Sequence, residues 1–204
     1  MFVHQEKLGR MDNFGYLVAD EKTKLAAVID PSVDSRPLQA LAAKKGFKII
    51  YILNTHDHHD HTADNERLAR ETGAKIAAHR LARTRKDISL EDGDVLKIGK
   101  LELKVLHTPG HSIESCCFIA GVALFTGDTL FVGECGRTDL PRSDVEAMHD
   151  SLRHKIRSLD DDLTVYPGHD YGKRQSSPLG YEKRHNYTLK PRTLAEFIKF
   201  MSEP

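Results

Sequence analysis

Four apolar runs in this chain each break off in turn-forming residues that carry a histidine or an aspartate. No other feature limits the available folds as much. The run 49–53 leads into Thr55-His56-Asp57-His58-His59-Asp60-His61, and 101–106 leads into His107-Thr108-Pro109-Gly110-His111. The run 122–125 leads into Thr126-Gly127-Asp128, and 163–166 into Pro167-Gly168-His169. Glycine and proline let a backbone turn sharply and deliver a side chain to a shared point. One such ending carries little weight; four predict strands whose ends meet at a composite site.

The richest ending holds the pattern H-x-H-x-D-H, with His56, His58, Asp60 and His61 directly behind a buried strand. A metal site at a strand end accounts for it most economically. The candidate ligands are His56, His58, Asp60, His61, His111, Asp128 and His169. They supply only nitrogen and oxygen, which suits Zn, Fe or Mn and argues against thiolate sites for Cu(I) or iron–sulfur clusters. This set exceeds the four ligands of a tetrahedral zinc, so two metals fit, with Asp128 as the bridging carboxylate. A single Fe(II) faced by two histidines and Asp128 fits as well, the others then orienting those ligands by hydrogen bonds. His59 breaks the pattern. His79, His149, His154 and His185 read as surface or core residues, His107 as structural, and Cys135 as a packing residue in the loop after Asp128. Lys183 and Arg184 read equally as a solvated face or as contacts to an anionic substrate.

Between these endings the pattern is that of a layered protein. Strands are predicted at 15–18, Leu25–Ile29, Lys48–Leu53, 75–78 and Val95–Ile98, with 91–94 as a turn. A helix is expected from about Ser35 to Gly46, and another over 63–72, stopped by Gly73. Cys116–Ala120 and 122–125 read as a hairpin around Gly121, so the adjacent Cys116 and Cys117 should face opposite sides. Val145, Met148, Leu152, Ile156 and Leu159 recur at helical spacing and predict one helix over 144–159, with Ser143 and Glu146 as its capping box. The stretch 172–180 reads as a loop. Thr193 and Glu196 cap a last helix that docks through Phe197, Ile198 and Met201. Strands and helices alternating in each half predict one α/β domain over 1–204.

Bulk properties narrow the function. A chain of 204 residues can bury a large core. Thirty basic residues balance 30 acidic ones, so there is no general attraction to nucleic acid or anionic membrane. The first residues form no apolar signal segment, and no run approaches membrane-spanning length. Three cysteines, Cys116, Cys117 and Cys135, make no disulfide framework. A cytoplasmic location is expected.

Taken together, these motifs resemble the metallo-β-lactamase superfamily over nearly the whole chain. That resemblance implies a four-layer αββα sandwich with a metal site at one edge between the sheets. Phe125-Thr126-Gly127-Asp128-Thr129-Leu130, Glu134-Cys135-Gly136-Arg137-Thr138-Asp139 and Tyr166-Pro167-Gly168-His169-Asp170-Tyr171 are most similar to its persulfide dioxygenase and glyoxalase II branch. Cys-Gly-Arg-Thr-Asp at 135–139 looks like the dioxygenases; glyoxalase II usually has a Lys and a Tyr in this loop for glutathione. Long-type glyoxalase II adds a helical domain behind its last histidine, whereas 35 residues follow His169 here.

The dioxygenase resemblance implies one Fe(II) on His56, His111 and Asp128. It also implies oxidation of glutathione persulfide by O₂ to sulfite and glutathione. The alternative is a binuclear hydrolase, with two Zn(II) or mixed Zn/Fe, acting on S-lactoylglutathione or a related thioester, where Asp60 orients the attacking hydroxide. Either way the substrate is a small thiol compound. Arg137 is the candidate clamp for a glutathione carboxylate, with an Arg137–Asp139 ion pair as its other role, and Tyr171 lines the same cleft. Nucleic acid and membrane are not expected as partners, and a homodimer is left open.

Overall fold

The computed structural model describes residues 1–202. Its first sheet runs in sequence order through β1 (Phe2–Leu8), β2 (Asn13–Asp20), β3 (Leu25–Ile29), β4 (Lys48–Leu53), β5 (Lys75–His79) and β6 (Ile88–Leu90). The first three strands pair antiparallel, and β3 to β6 pair parallel. Parallel neighbours need crossovers; helices supply the first two, and residues 80–87 join β5 to β6 without one. α1 (Arg36–Lys44) joins β3 to β4; α2 (His59–Thr62) and α3 (Asn65–Thr72) join β4 to β5.

The second sheet is built from β7 (Val95–Ile98), β8 (Leu101–His107), β9 (Cys116–Ala120), β10 (Ala123–Gly127), β11 (Thr164–Pro167) and β12 (Ser177–Pro178). It is antiparallel except for the pair β10–β11. The crossover between those two carries α4 (Val145–Asp150), and α5 (Leu179–His185) and α6 (Leu194–Ser202) complete the outer layer.

Every residue of β2 is buried, because a strand inside a four-layer stack has no solvent face. Alternate side chains divide between two cores. Phe14, Tyr16 and Val18 pack between the sheets with Phe118 and Phe125. Leu17 and Ala19 pack on the other face with Leu38 of α1 and Leu68 of α3. The same rule separates the adjacent thiols. Cys116 belongs to the inter-sheet core, and Cys117 to the layer beneath Met148, Leu152 and Phe197. The fold is the expected αββα sandwich. No helix among the described residues is long and apolar enough to cross a membrane.

Several local expectations need correction. The helix over 144–159 is not regular: α4 stops at Asp150, a π-helical turn follows over Ser151–Lys155, and a 3₁₀ turn closes at Ser158. Met148, Leu152 and Ile156 are all buried at successive spacings of four. A 3.6-residue turn would rotate such a series off the sheet, and a wider turn keeps it there. The N-cap is Asp144, whose carboxylate accepts from the Glu146 and Ala147 N–H groups. Ser143 instead donates its hydroxyl to the Leu140 carbonyl. The stretch 172–180 contains β12 and the start of α5. Thr193 and Glu196 do form a reciprocal cap, but Ile198 is exposed, and Phe200 packs beside Phe197 and Met201.

Candidate metal centre

The strand ends that the sequence singles out converge at one edge of the sandwich. His56 follows β4, His111 follows β8, Asp128 follows β10 and His169 follows β11, while Asp60 and His61 lie on α2. Two clusters that share no residue result, and a third group, Asp30, His56 and His61, links them. His56, His58 and His111 bring ligand atoms within 4.8 Å of one another, as do Asp60, His61 and His169. His58 Nδ1 lies 3.0 Å from His111 Nε2, and His61 Nε2 lies 3.1 Å from His169 Nε2. Neighbouring ligands on one metal, with bonds of about 2.0–2.1 Å, have comparable spacings.

Asp128 stands between the clusters. Its Oδ2 is 3.5 Å from His111 Nε2 and 3.3 Å from His169 Nε2, and its Oδ1 is 3.5 Å from His61 Nε2. The carboxylate therefore faces both triads. The turn behind β11 makes this approach possible, because a β-carbon on Gly168 would overlap Asp128 Oδ1.

Backbone carbonyls fix the imidazole tautomers. His111 Nδ1 donates to the Arg137 carbonyl and His169 Nδ1 to the Met11 carbonyl, each at 2.9 Å. A carbonyl can only accept, so each Nε2 keeps a lone pair directed into the centre. Two further residues support the ligands and were not singled out from sequence. Asp30 accepts from the Thr55 N–H at 2.8 Å and hydroxyl at 2.6 Å, and lies 3.3 Å from His61 Nδ1. It closes β3, a fifth strand ending that carries a histidine or an aspartate, a signal present in Asp30-Pro31-Ser32. Asn13 donates to Asp60 Oδ2 at 2.8 Å; nothing local in the sequence marks it.

Electrostatics divide the centre. Burial and neighbouring His61 push the His56 imidazole well below its ordinary range, and burial lowers His111. Burial opposes a charge on His61 too, but Asp128 and Asp30 outweigh it and hold that imidazole at about 9. Burial would raise Asp128, yet His61 and His56 keep it ionised. His56 Nε2 and Asp128 Oδ1 are buried without a hydrogen-bond partner. Orphaned buried polar atoms are costly unless something binds them. With His56 and His111 favoured as neutral imidazoles and Asp128 as an ionised carboxylate, this donor set fits a metal ion.

The other candidates fall at differing distances from that centre. Tyr171 stacks on the His169 ring, centroids 4.7 Å apart and planes 9° apart. It opens onto a groove of about 500 Å³ shared with Glu134, Arg174 and Tyr181. Arg137 touches the site through its carbonyl; its guanidinium pairs with Asp139 in the open, both more than 60 % exposed (63 % and 65 %). Cys135 is buried, and desolvation pushes its thiol up to about 12. His59 is exposed, His107 stacks on His79, and Lys183 and Arg184 pair with Asp161.

A sandwich of this architecture with histidine and aspartate groups able to bind metal at its strand-end edge defines a class of metal-dependent enzymes. The chain belongs to the metallo-β-lactamase superfamily, whose family model matches residues 9–169. Among its relatives is the hydroxyacylglutathione hydrolase of Polaromonas sp., 43 % identical over 78 % of this chain and 62 % of that protein. Human mitochondrial persulfide dioxygenase ETHE1 is 34 % identical over 92 % of this chain and 75 % of its own. The crystal structure of ETHE1 from Myxococcus xanthus superposes with a TM-score of 0.93 at 32 % identity, covering all of this chain and 92 % of that one. The chain thus spans about three-fifths of the hydrolase it matches.

Proposed function

We propose that the protein is a persulfide dioxygenase, converting glutathione persulfide, O₂ and water to glutathione, sulfite and two protons. The observation that carries this reading is the reach of the resemblance. Similarity to human persulfide dioxygenase covers 92 % of this chain and the Myxococcus xanthus ETHE1 structure all of it, against 78 % for the Polaromonas hydrolase and 88 % for that of Pelagibacter ubique. The Cys135–Asp139 loop, with Arg137 in place of lysine, supports the same choice.

His56, His111 and Asp128 would hold one Fe(II), which when bound supplies the redox chemistry coupling the persulfide to O₂. The chain's own residues would do the rest. The Arg137 and Met11 carbonyls orient His111 and His169. The ionised Asp128 offers charge to the metal without first losing a proton. The Tyr171 groove would receive the peptide part of the thiol, and Arg137 would exchange its exposed Asp139 partner for a substrate carboxylate. Such an exposed pair is worth little in itself, so the exchange costs little.

A second reading is favoured by one observation, the two triads facing a shared Asp128. That arrangement would hold two metals, which when bound would make a water acidic enough to attack, and a thioester such as S-lactoylglutathione would be the substrate. Oxygen uptake decides between the two. Anaerobically iron-loaded protein should consume O₂ and release sulfite on addition of glutathione persulfide, and the zinc-loaded form should not. No uptake by a fully iron-loaded sample, with hydrolysis of S-lactoylglutathione, would establish the second reading.

A further inference from the structure

We propose that Arg142 is a positioning residue for the half of the centre formed by His56, His58 and His111, an inference that rests on the metal-binding reading above. Arg142 lies at φ +69°, a conformation that residues with a β-carbon rarely adopt. Its side chain is 18 % exposed, and both terminal nitrogens are engaged. Nη1 donates to Asp57 Oδ2 at 3.1 Å, and Nη2 donates to the Leu81 carbonyl at 2.8 Å. Nη2 also lies 3.1 Å from Oε2 of Glu114, a carboxylate with no exposed surface. A strained backbone persists where surrounding contacts over-determine it, and here those contacts are the two carboxylates and the carbonyl.

The placement of these partners gives the guanidinium its role. Asp57 is the residue between His56 and His58, and Glu114 lies three positions after His111. One guanidinium, hydrogen-bonded to Asp57 and at ion-pair distance from Glu114 Oε2, which has no hydrogen-bond partner, therefore lies between the two segments that carry the three imidazoles. Asp57 is held from other sides as well. Its Oδ2 accepts from the Arg83 N–H at 2.6 Å, and its own N–H points at Glu114 Oε1 at 3.4 Å. His111 and His169 are fixed by carbonyls on their far nitrogens; for His58 the fixing is of its backbone, through Asp57. The other half of the centre has its own supports. Asn13 holds Asp60, Asp30 lies against His61, and the Met11 carbonyl holds His169. None of these is a partner of the Arg142 guanidinium, so its effect is confined to one half.

The test uses Co(II) binding to the full-length protein, followed by visible absorption and metal content. His169→Ala leaves the His56–His58–His111 half, and His58→Ala leaves the Asp60–His61–His169 half. Arg142→Gly is added to each. Glycine accepts φ +69° without strain, so the change removes the fork alone; Arg142→Lys keeps the charge but not the fork. Both are expected to weaken Co(II) binding about 10–100-fold in the His169→Ala background and to alter its absorption bands. Binding in the His58→Ala background should stay within about twofold, because such supports act locally. Unchanged affinity in the first background, or equal loss in both, overturns the proposal. If the Arg142→Gly chain does not fold, Asp57→Asn, which removes the charge the fork holds, is scored by the same criteria. Absence of Co(II) binding by the unsubstituted protein would instead overturn the metal reading itself.

Discussion

Gly168 shows how much of the centre depends on single atoms. A β-carbon there would overlap Asp128 Oδ1, so Gly168→Ala must displace the carboxylate that faces both triads. Metal affinity should fall at least tenfold in a zinc competition titration, while far-UV circular dichroism stays unchanged because the turn itself does not need positive φ. Asp60→Asn separates the two catalytic readings. An iron dioxygenase using His56, His111 and Asp128 should keep its iron and part of its turnover. A binuclear hydrolase should lose a metal ligand and about 10²-fold or more in kcat. Both are measured by metal content beside steady-state rate. The sequence exposes the residues the fold brings together, because packing alone seldom crowds His and Asp behind apolar runs. It hides their supports. Asn13 reaches Asp60 across 47 positions, and nothing around Asn13 differs from an ordinary strand start. Arg142 looks like any surface arginine until its backbone angle is known.

At the scale of elements, β5 and β8 belong to different sheets, yet their ends are joined by His79 stacked on His107, centroids 4.0 Å apart. Burial, and then His107 beside it, push the His79 imidazole down to about 4, whereas an unfolded chain's histidine titrates near ~6.5. Below that value the unfolded state takes up a proton that the folded state refuses. The contribution is full above about pH 6.5 and is lost as pH falls toward 4. Thermal melts of the protein and of His79→Gln across roughly pH 4–7 should show a shallower acid decline in the variant. Elements with strong periodicity, such as β3, β4, β7 and β9, match their expected bounds. Those missed had weak signals: β1 carries charges along a sheet edge, β6 has only three residues, and α5 follows a polar stretch. The π-helical turn at Ser151–Lys155 was invisible for a different reason. It corrects a phase error in a pattern that looks regular over any single turn.

For the whole molecule, the centre is a seam. The first sheet's half of the chain brings His56 to His61, and the second brings His111, Asp128 and His169. A metal at that seam binds the folded state and not the unfolded one, so saturation to a hundredfold excess over Kd should add about 2.7 kcal/mol. Chelation should therefore lower Tm in scanning calorimetry, and re-addition of Zn(II) or Fe(II) should restore it. The seam also imposes an order in time. On a ribosome adding about 5–20 residues per second, the first histidines emerge roughly 6–20 s before His169. For that interval four imidazoles stand in the cell with no partner strand behind them. The nascent chain must refuse whatever ion arrives early, and a site that acquires its last ligand only at closure leaves the choice of metal to the finished fold.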